Sequence, residues 1–524
     1  MDPGRVDYST QEEKTIRARF QEAFASFLEE VRLEQDPDTS FRGRSPGRSM
    51  RLSLRSDEKA AIRTSSRSSR GALLHPVRVI MSAIPSSPAE TGLFFPRDED
   101  TRWTRLQAFA VGTCFVLNML DGMDILMMSY LAPAITSDWN IGVAALGVVF
   151  SAALAGMMVG ALVLAPLADQ FGRRPVILWS VALMGVSMIG CGFAPGITTL
   201  IILRFIVGLG IGAILASMAA ITSEYAPARH RVVSVALLQA GYPIGAMLAG
   251  LAVNALLPDL GWRVLMSAAG VATLILLPFA AMLLPESLEF LEKRQPRQAL
   301  ARINAIRRKM GRPPLPTLSE AGERKPVSLN LLFDDGRWKQ TILLWSAFFC
   351  CYMTLYFAIA WIPRLAIEAG LDRSQAIVAG TVYNLGAFSG GLALCWLLFK
   401  FDVRRLVLLM MLGGSASLMA FAAPMSVTLT LVVAFCIGFT VQGGFNGLYP
   451  LVAGAYPAQV RSTGIGWCIG IGRSGAVIGP LIAGWLLAAQ QPLSVVFLVF
   501  TVPLISVGLL VMAVTLRSPE PPQP

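Results

Sequence analysis

The sequence predicts an all-α polytopic membrane protein, and three observations carry that prediction. Of its 524 residues 54% are hydrophobic and 15% charged, whereas a soluble chain carries about 25% charged residues. Its apolar stretches recur at about 20 residues, the length of a helix that crosses a bilayer. Those stretches are continuous rather than alternating, so they read as helices and not as barrel strands.

Composition also excludes several chemistries. Two histidines, His75 and His230, lie outside the apolar runs, and no HExxH occurs. That leaves little room for a metal site or for a histidine acid–base pair, so no catalytic residues, metal or cofactor are expected. A formal charge of +11 can indicate nucleic acid, but here apolar runs separate the basic groups, which is the pattern of loops on one side of a membrane. No nucleic-acid partner is expected. The seven cysteines at 114, 191, 350, 351, 395, 436 and 468 fall inside apolar stretches without CxxC spacing. They read as reduced packing residues.

Residues 1–100 form an expected poorly ordered, cytoplasmic extension. Ser9-Thr10-Gln11-Glu12 has the spacing to cap a short helix bearing Ile16, Phe20, Phe24, Phe27, Leu28 and Val31 on one face. An Arg/Ser-rich tract from Arg42 to Arg70 follows, with almost no apolar pattern. No segment combines a basic start, a short apolar core and a small-residue cleavage site, so no signal peptide is expected. Met81-Ser82 opens a polar lead-in to the first span, and residues 1–80 are expected to derive from an upstream start codon.

Twelve spans follow, at about 106–131, 142–166, 175–194, 198–222, 232–257, 264–284, 340–363, 374–398, 405–423, 427–451, 463–488 and 493–516. Arginine and lysine set their orientation. Arg173, Arg174, Arg229, Arg231, Lys400, Arg404, Arg405 and Arg461 lie in alternate loops, and the 285–339 segment adds Lys293, Arg294, Arg297, Arg302, Arg307, Arg308, Lys309 and Arg312. The opposite loops hold little beyond Arg263, Arg364 and Arg373. Both termini are therefore expected to be cytoplasmic.

The long segment divides the spans six and six. The domain reading is a first half at 101–284, a central cytoplasmic loop at 285–339, a second half at 340–516 and a disordered tail at 517–524. The halves echo each other. Glu224-Tyr225-Ala226-Pro227 before Arg231 recurs as Ala455-Tyr456-Pro457 before Arg461, and Asp169-Gln170-Phe171-Gly172-Arg173-Arg174 has a worn counterpart in Phe401-Asp402-Val403-Arg404-Arg405. A duplicated six-helix unit puts a binding site at the interface of two pseudo-symmetric halves, near the bilayer midplane.

At this point the chain, over about residues 100–516, resembles the major facilitator superfamily. Its loop 2–3 signature appears as Ala165-Pro166-Leu167-Ala168-Asp169-Gln170-Phe171-Gly172-Arg173-Arg174. Ala165 replaces the usual glycine and Gln170 the usual arginine. Arg204 with Gly208, Gly210 and Gly212 resembles the superfamily's helix-4 motif, and Pro285-Glu286-Ser287 a motif of sugar and organic-acid porters. Asp121-Gly122-Met123-Asp124 in span 1 is similar to the DGxD of the aromatic acid:H⁺ symporters, a family that includes 4-hydroxybenzoate and protocatechuate transporters. Arg204, Glu224 and Arg473 also sit where that family places functional charges. The resemblance implies a monomeric, multi-pass protein of the plasma (cell inner) membrane.

The charges themselves support reversible protonation and anion binding. Asp121 and Asp124 share one helix face and are expected about 22–27 Å along span 1, beyond the midplane. A charged carboxylate in such a place costs at least ~2.5 kcal/mol, and carboxylates in membranes are functional by default. Arg204 is expected at a compatible depth, where it can bias the pair or hold substrate; the structural alternative is a helix-pinning ion pair. Arg473, about 18 Å into span 11 and flanked by Gly470, Gly472 and Gly475, suits bidentate grip of a carboxylate. The alternative is a structural partner for a carboxylate in the other half.

Asn118, Tyr352, Tyr356, Tyr383, Asn384, Gln442 and Asn446 supply the polar and aromatic groups for a pocket; each alone also fits helix packing. Asp169, Arg173, Arg174, Glu224 and Arg461 are expected at the cytoplasmic face, where a charge network can close an inner gate. Exposed pairs add little stability, so switching is the better reason for them, and a role of the arginines in topology alone is the alternative.

The function expected from residues and resemblance together is proton-coupled import of an aromatic carboxylate such as a hydroxybenzoate. Two transport alternatives are another organic acid, such as a muconate-like diacid, and proton-coupled efflux. Efflux members carry a GP-containing motif in span 5, where this chain reads Gly241-Tyr242-Pro243-Ile244-Gly245. A receptor that has lost transport is a further alternative. An ATP-driven pump needs GxxxxGK[ST], and the chain has no Gly-Lys dipeptide.

Overall fold

The computed structural model describes residues 103–318, 332–334, 337–457 and 460–515, and its elements are helices throughout. The helix expected over 9–31, the Arg/Ser tract, Met81 and the 517–524 tail lie outside the described residues.

Span 1 is Arg105–Trp139, started by a capping box in which the Thr104 side chain accepts from the Gln107 amide and the Gln107 side chain answers the Thr104 N–H. Span 2 starts as Val143–Val159 and then loosens into a π turn at Gly160–Leu164 and a 3-10 turn at Ala165–Leu167. Pro166 sits in that stretch and has no N–H to give the helix ladder, which accounts for the irregularity. A short helix, Ala168–Phe171, ends at Gly172, whose φ of +104° turns the chain into span 3, Arg173–Gly192. Span 4 is Ile197–Tyr225.

The next helical stretch, Arg231–Leu283, has 53 residues, and at 1.5 Å per residue would reach ~80 Å, far more than a bilayer. It breaks at Gly261, with φ +72°, into span 5 (231–260) and span 6 (262–283). The eleven long apolar helices among the described residues thus accommodate all twelve expected spans. The linker carries two helices of its own, Leu288–Arg294 and Ala299–Lys309. Spans 7 to 12 are Trp338–Glu368, Arg373–Leu397, Val403–Phe421, Val427–Ala455, Arg461–Ala488 and Leu493–Ala513. Asp372 and Ser426 cap spans 8 and 10, each side chain accepting an amide hydrogen of the first turn.

Small residues set the packing, and the same contact recurs in both halves. A Cβ on Gly122 would run into the Tyr242 carbonyl, and one on Gly245 into that of Met119, so spans 1 and 5 meet backbone to backbone. Gly475 and Gly479 of span 11 press in the same way on Phe349 and Met353 of span 7. Gly156, Gly160, Gly208 and Gly212 bring spans 2 and 4 together, as Gly386, Gly390 and Gly438 do for spans 8 and 10. The duplication read from the loop motifs is therefore also present in the helix contacts. Large apolar side chains face outward, with Trp179 77% and Met282 83% exposed, which suits lipid and not water. All seven cysteines are free thiols.

Among the described residues, these hydrogen bonds join the two halves. Ser129 donates to the Ala360 carbonyl at 2.7 Å, Ser151 to that of Val477 at 2.7 Å, Ser374 to the Asn254 side chain at 2.8 Å, and Asn384 to the Tyr130 hydroxyl at 3.5 Å. Each lies in the half of its spans remote from the basic loops.

Candidate functional site

Span 1 places Asp121 and Asp124 at its middle. The helix runs to Trp139 rather than stopping near 131, so the pair is ~24 Å from its start and ~22 Å from its end. The helix continues about two turns past its apolar run, and Trp139, Asp138 and Trp262 pack together at its end, with the Trp262 indole N–H donating to Asp138 at 3.1 Å.

Both carboxyl groups are buried, Asp121 at 2% and Asp124 at 0% exposure. Neither carboxylate oxygen of Asp124 has a hydrogen-bond partner among the described residues, nor does Oδ1 of Asp121. Arg204, itself buried, reaches the site from span 4 but does not pair with a carboxylate. Its Nη2 donates to the Asp124 main-chain carbonyl at 2.9 Å and its Nη1 to the Met188 sulfur at 3.1 Å. Beside it is a cavity of about 20 Å³ lined in part by Met128, Phe150, Arg204, Tyr356 and Ala360, room for a water and for nothing larger.

On the opposite side of the interface Arg473 enters from span 11 against Gly472 and Gly475. Among the described residues its guanidinium makes no ion pair and its buried Nε has no acceptor. Asp121 is within its electrostatic reach, as are Tyr352, Tyr356 and Tyr449. These rings form an aromatic wall. Tyr352 and Tyr356, one turn apart on span 7, stack with centroids 5.9 Å apart and planes within 9°. Phe445 of span 10 stands edge-on to Tyr352 at 4.9 Å and to Tyr449 at 5.5 Å. A cation with no partner among the described residues, beside flat aromatic rings, can receive a planar anion.

The other predicted pocket residues divide. Asn118 donates to the Leu238 carbonyl at 2.6 Å and so ties span 1 to span 5. Asn384 donates to the Gly380 carbonyl at 2.8 Å and more weakly to Tyr130. Gln442 donates to Asn446 at 3.1 Å, one side chain satisfying the other. Tyr383 is buried at 1% exposure with no partner for its hydroxyl among the described residues. Sequence reasoning missed Tyr242, Tyr130, Tyr449 and Phe445. Tyr242 carried a signal, since it stands between two glycines of the span 5 packing face.

The predicted gate residues meet only in part. Arg173 pairs with Glu224 and with Glu289, the latter at 2.7 Å. Ser287 donates to Glu224 at 3.0 Å, the Leu288 N–H donates to Glu224 at 2.8 Å, and Glu286 accepts the main-chain N–H groups of Arg173 and Arg174 at 2.9 and 3.1 Å. Arg174 also donates to the Ala281 carbonyl. Among the described residues Asp169 contributes its carbonyl, to Arg294 at 2.8 Å, and Arg461 opens span 11 in the other half. The described partners of Arg173, Arg174 and Glu224 thus all belong to the first half or the linker. Burial alone would raise the pKa of Glu289, but the Lys293 hydrogen bond and the Arg173 charge outweigh it and hold the carboxyl below its ordinary range. Glu289 was not singled out from the sequence, and Glu286 only within the Pro285-Glu286-Ser287 motif; the Ser287 N-cap with two acidic neighbours is the signal that finds both.

Comparison with known proteins agrees with this architecture. The family model described as Major Facilitator Superfamily matches residues 114–372 and 344–524. The chain is similar to a 4-hydroxybenzoate transporter, PcaK, of Acinetobacter baylyi, with 32% identity covering 77% of this chain and 90% of that one. It is 30% identical to a gallate transporter of Pseudomonas putida over 76% of this chain and 90% of that protein. Among solved structures, the Escherichia coli xylose transporter XylE in a partially occluded inward-open conformation superposes with a TM-score of 0.60 at 15% identity, covering 78% of this chain and 97% of that one. A bacterial homolog of the human lysosomal transporter Spinster, inward-facing and occupied, gives 0.63 at 14% identity, covering 80% and 100%. These likenesses share the fold. With its twelve spans, its duplicated halves and a family match across most of its length, this chain is a multi-pass membrane transporter, not an enzyme, and belongs to the Major Facilitator Superfamily.

Proposed function

We propose that the protein imports an aromatic carboxylate together with protons, by alternating access across the plasma membrane, as a monomer. The observation that carries this reading is the unpartnered Arg473 guanidinium in front of the Tyr352–Tyr356 stack, facing buried Asp121. The guanidinium takes the substrate carboxylate and the rings take its aromatic face. Relatives named for 4-hydroxybenzoate, gallate and benzoate transport support this class of substrate over a flexible diacid.

Coupling follows from Asp121 and Asp124. An unpaired carboxylate at mid-membrane costs at least ~2.5 kcal/mol, and taking up a proton removes that cost. Protonation from outside favours the loaded carrier, and release inside resets it. The cross-half bonds at the ends remote from the basic loops support a state whose site opens toward the basic, cytoplasmic side. The Arg173–Glu224–Glu289 cluster then acts within one half, holding the linker to spans 3 and 4 while the halves rock. The test is uptake of radiolabelled hydroxybenzoates by cells with and without a protonophore. Accumulation abolished by the protonophore supports the reading; uptake of no aromatic acid by protein present in the membrane sinks it.

A further inference from the structure

Two buried tyrosine hydroxyls remain without a use. The hydroxyl oxygens of Tyr242, on span 5, and Tyr383, on span 8, are both shut away from solvent and have no hydrogen-bond partner among the described residues. Native proteins rarely leave a buried hydroxyl unsatisfied, because folding then gives up its bond to water for nothing. The two come from different halves and converge on one place. Tyr242 interacts electrostatically with Asp121, Tyr356, Tyr383 and Tyr130, and Tyr383 with Tyr356. Their positions are fixed by backbone packing. Gly122 of the Asp121-Gly122-Met123-Asp124 turn lies directly on the Tyr242 main chain, and Gly438 on that of Tyr383.

Tyr356 neighbours this pair and also Arg473. Tyr356 is therefore a common neighbour of a cation and of two hydroxyls that have no partner among the described residues. Resting on the proposed import of an aromatic carboxylate, we propose that Tyr242 and Tyr383 read a hydroxyl group on the substrate's ring, so that the site selects hydroxylated aromatic carboxylates over unsubstituted ones. The carboxylate goes to Arg473, because Asp121 repels a second anion beside Tyr242. The far edge of the ring then meets the two phenols, each able to donate to or accept from a ring hydroxyl. A site built around such a hydroxyl rejects the analogue that lacks it, since its own buried polar groups then stay unpaired.

The test compares 4-hydroxybenzoate with benzoate, which share the carboxylate and the ring. Initial uptake rates of both labelled acids are measured for the full chain as wild type, Tyr242→Phe, Tyr383→Phe and the double variant. The expected result is a wild-type KM lower for 4-hydroxybenzoate than for benzoate, with the ratio of the two KM values moving about tenfold toward benzoate per substitution, one hydrogen bond's worth. Ligand-free Tm values of the purified variants are expected at or above that of wild type, because the hydroxyl removed had no partner. An unchanged ratio overturns the proposal while leaving aromatic-acid import standing. A fall in both variants' Tm also overturns it, because the hydroxyls would then be bonded within the free protein. Wild type that takes up neither acid overturns the import reading and this proposal together.

Discussion

Arg204 donates to the main-chain oxygen of Asp124 and leaves both of that residue's carboxylate oxygens unbonded. A fully buried cation thus sits beside a fully buried acid without neutralising it through a direct bond. The arrangement fixes span 1 against span 4 at one depth and leaves the Asp124 side chain without a direct ion pair to Arg204. It also explains why arginine occupies the position: one planar group reaches a carbonyl and the Met188 sulfur at once.

A lysine cannot span those two acceptors from one nitrogen in the same geometry. Arg204→Lys is therefore expected to lower the initial uptake rate at least about tenfold, the cost of one charge-assisted hydrogen bond. The measurement is uptake normalised to protein in the membrane fraction. Retention of the wild-type rate would mean that only the charge matters.

At Arg473 the loss should fall on binding. Replacing the guanidinium by a point charge gives up bidentate contact with a carboxylate, so Arg473→Lys is expected to raise KM about tenfold or more with a smaller change in the maximal rate. A concentration series of 4-hydroxybenzoate uptake separates the two. An unchanged KM would assign Arg473 to packing or gating.

The glycine contacts predict a sharp contrast within span 1. A Cβ at Gly122 collides with the Tyr242 backbone, whereas nothing lies within 4 Å of one at Gly112. Overpacking costs about 1–3 kcal/mol, so Gly122→Ala is expected to lower the Tm of the purified protein. Gly112→Ala is expected to match or exceed wild type, since alanine is the better helix former. Equal Tm values for the two variants would contradict the packing described for spans 1 and 5.

At the basic end, Glu289 gives a pH signature. Its folded pKa lies below the ordinary glutamate value of 4.5, set by Lys293 and Arg173 against the upward pull of burial. A depressed carboxyl stabilises the fold above its unfolded pKa and loses that contribution as the pH falls through the folded value. The Tm difference between wild type and Glu289→Gln should thus be full at neutral pH and shrink below 4.5. A difference that grows on acidification would contradict the pairing with Arg173.

Much of this architecture was legible in the sequence because it is written in hydropathy and in charge. Apolar runs gave the spans, and Asp121, Asp124, Arg204 and Arg473 stood out as charges where lipid makes charge costly. What escaped was decided by tertiary contact. Tyr242, Tyr130, Tyr449 and Phe445 look like ordinary apolar-helix residues until the spans are packed around them. Span 1 outlasts its apolar run because Asp138, Trp139 and Trp262 meet at its end. Sequence spacing put Arg204 at the depth of the acids, and only geometry distinguishes its bond to a carbonyl from an ion pair. Likewise Arg173 and Glu224 stood out as loop charges, but Glu289, which pairs with Arg173 and donates its N–H to Glu224, belongs to a linker helix whose docking no periodicity reveals.

The central claim is that proton movement through the Asp121–Asp124 pair drives accumulation of an aromatic carboxylate. Its most direct test is 4-hydroxybenzoate uptake into proteoliposomes holding the full chain, under an imposed pH gradient acid outside. Wild type is expected to concentrate the acid until the gradient is collapsed. Asp124→Asn is expected to exchange labelled for unlabelled substrate without concentrating it. Gradient-driven accumulation that survives in both Asp124→Asn and Asp121→Asn would contradict the account.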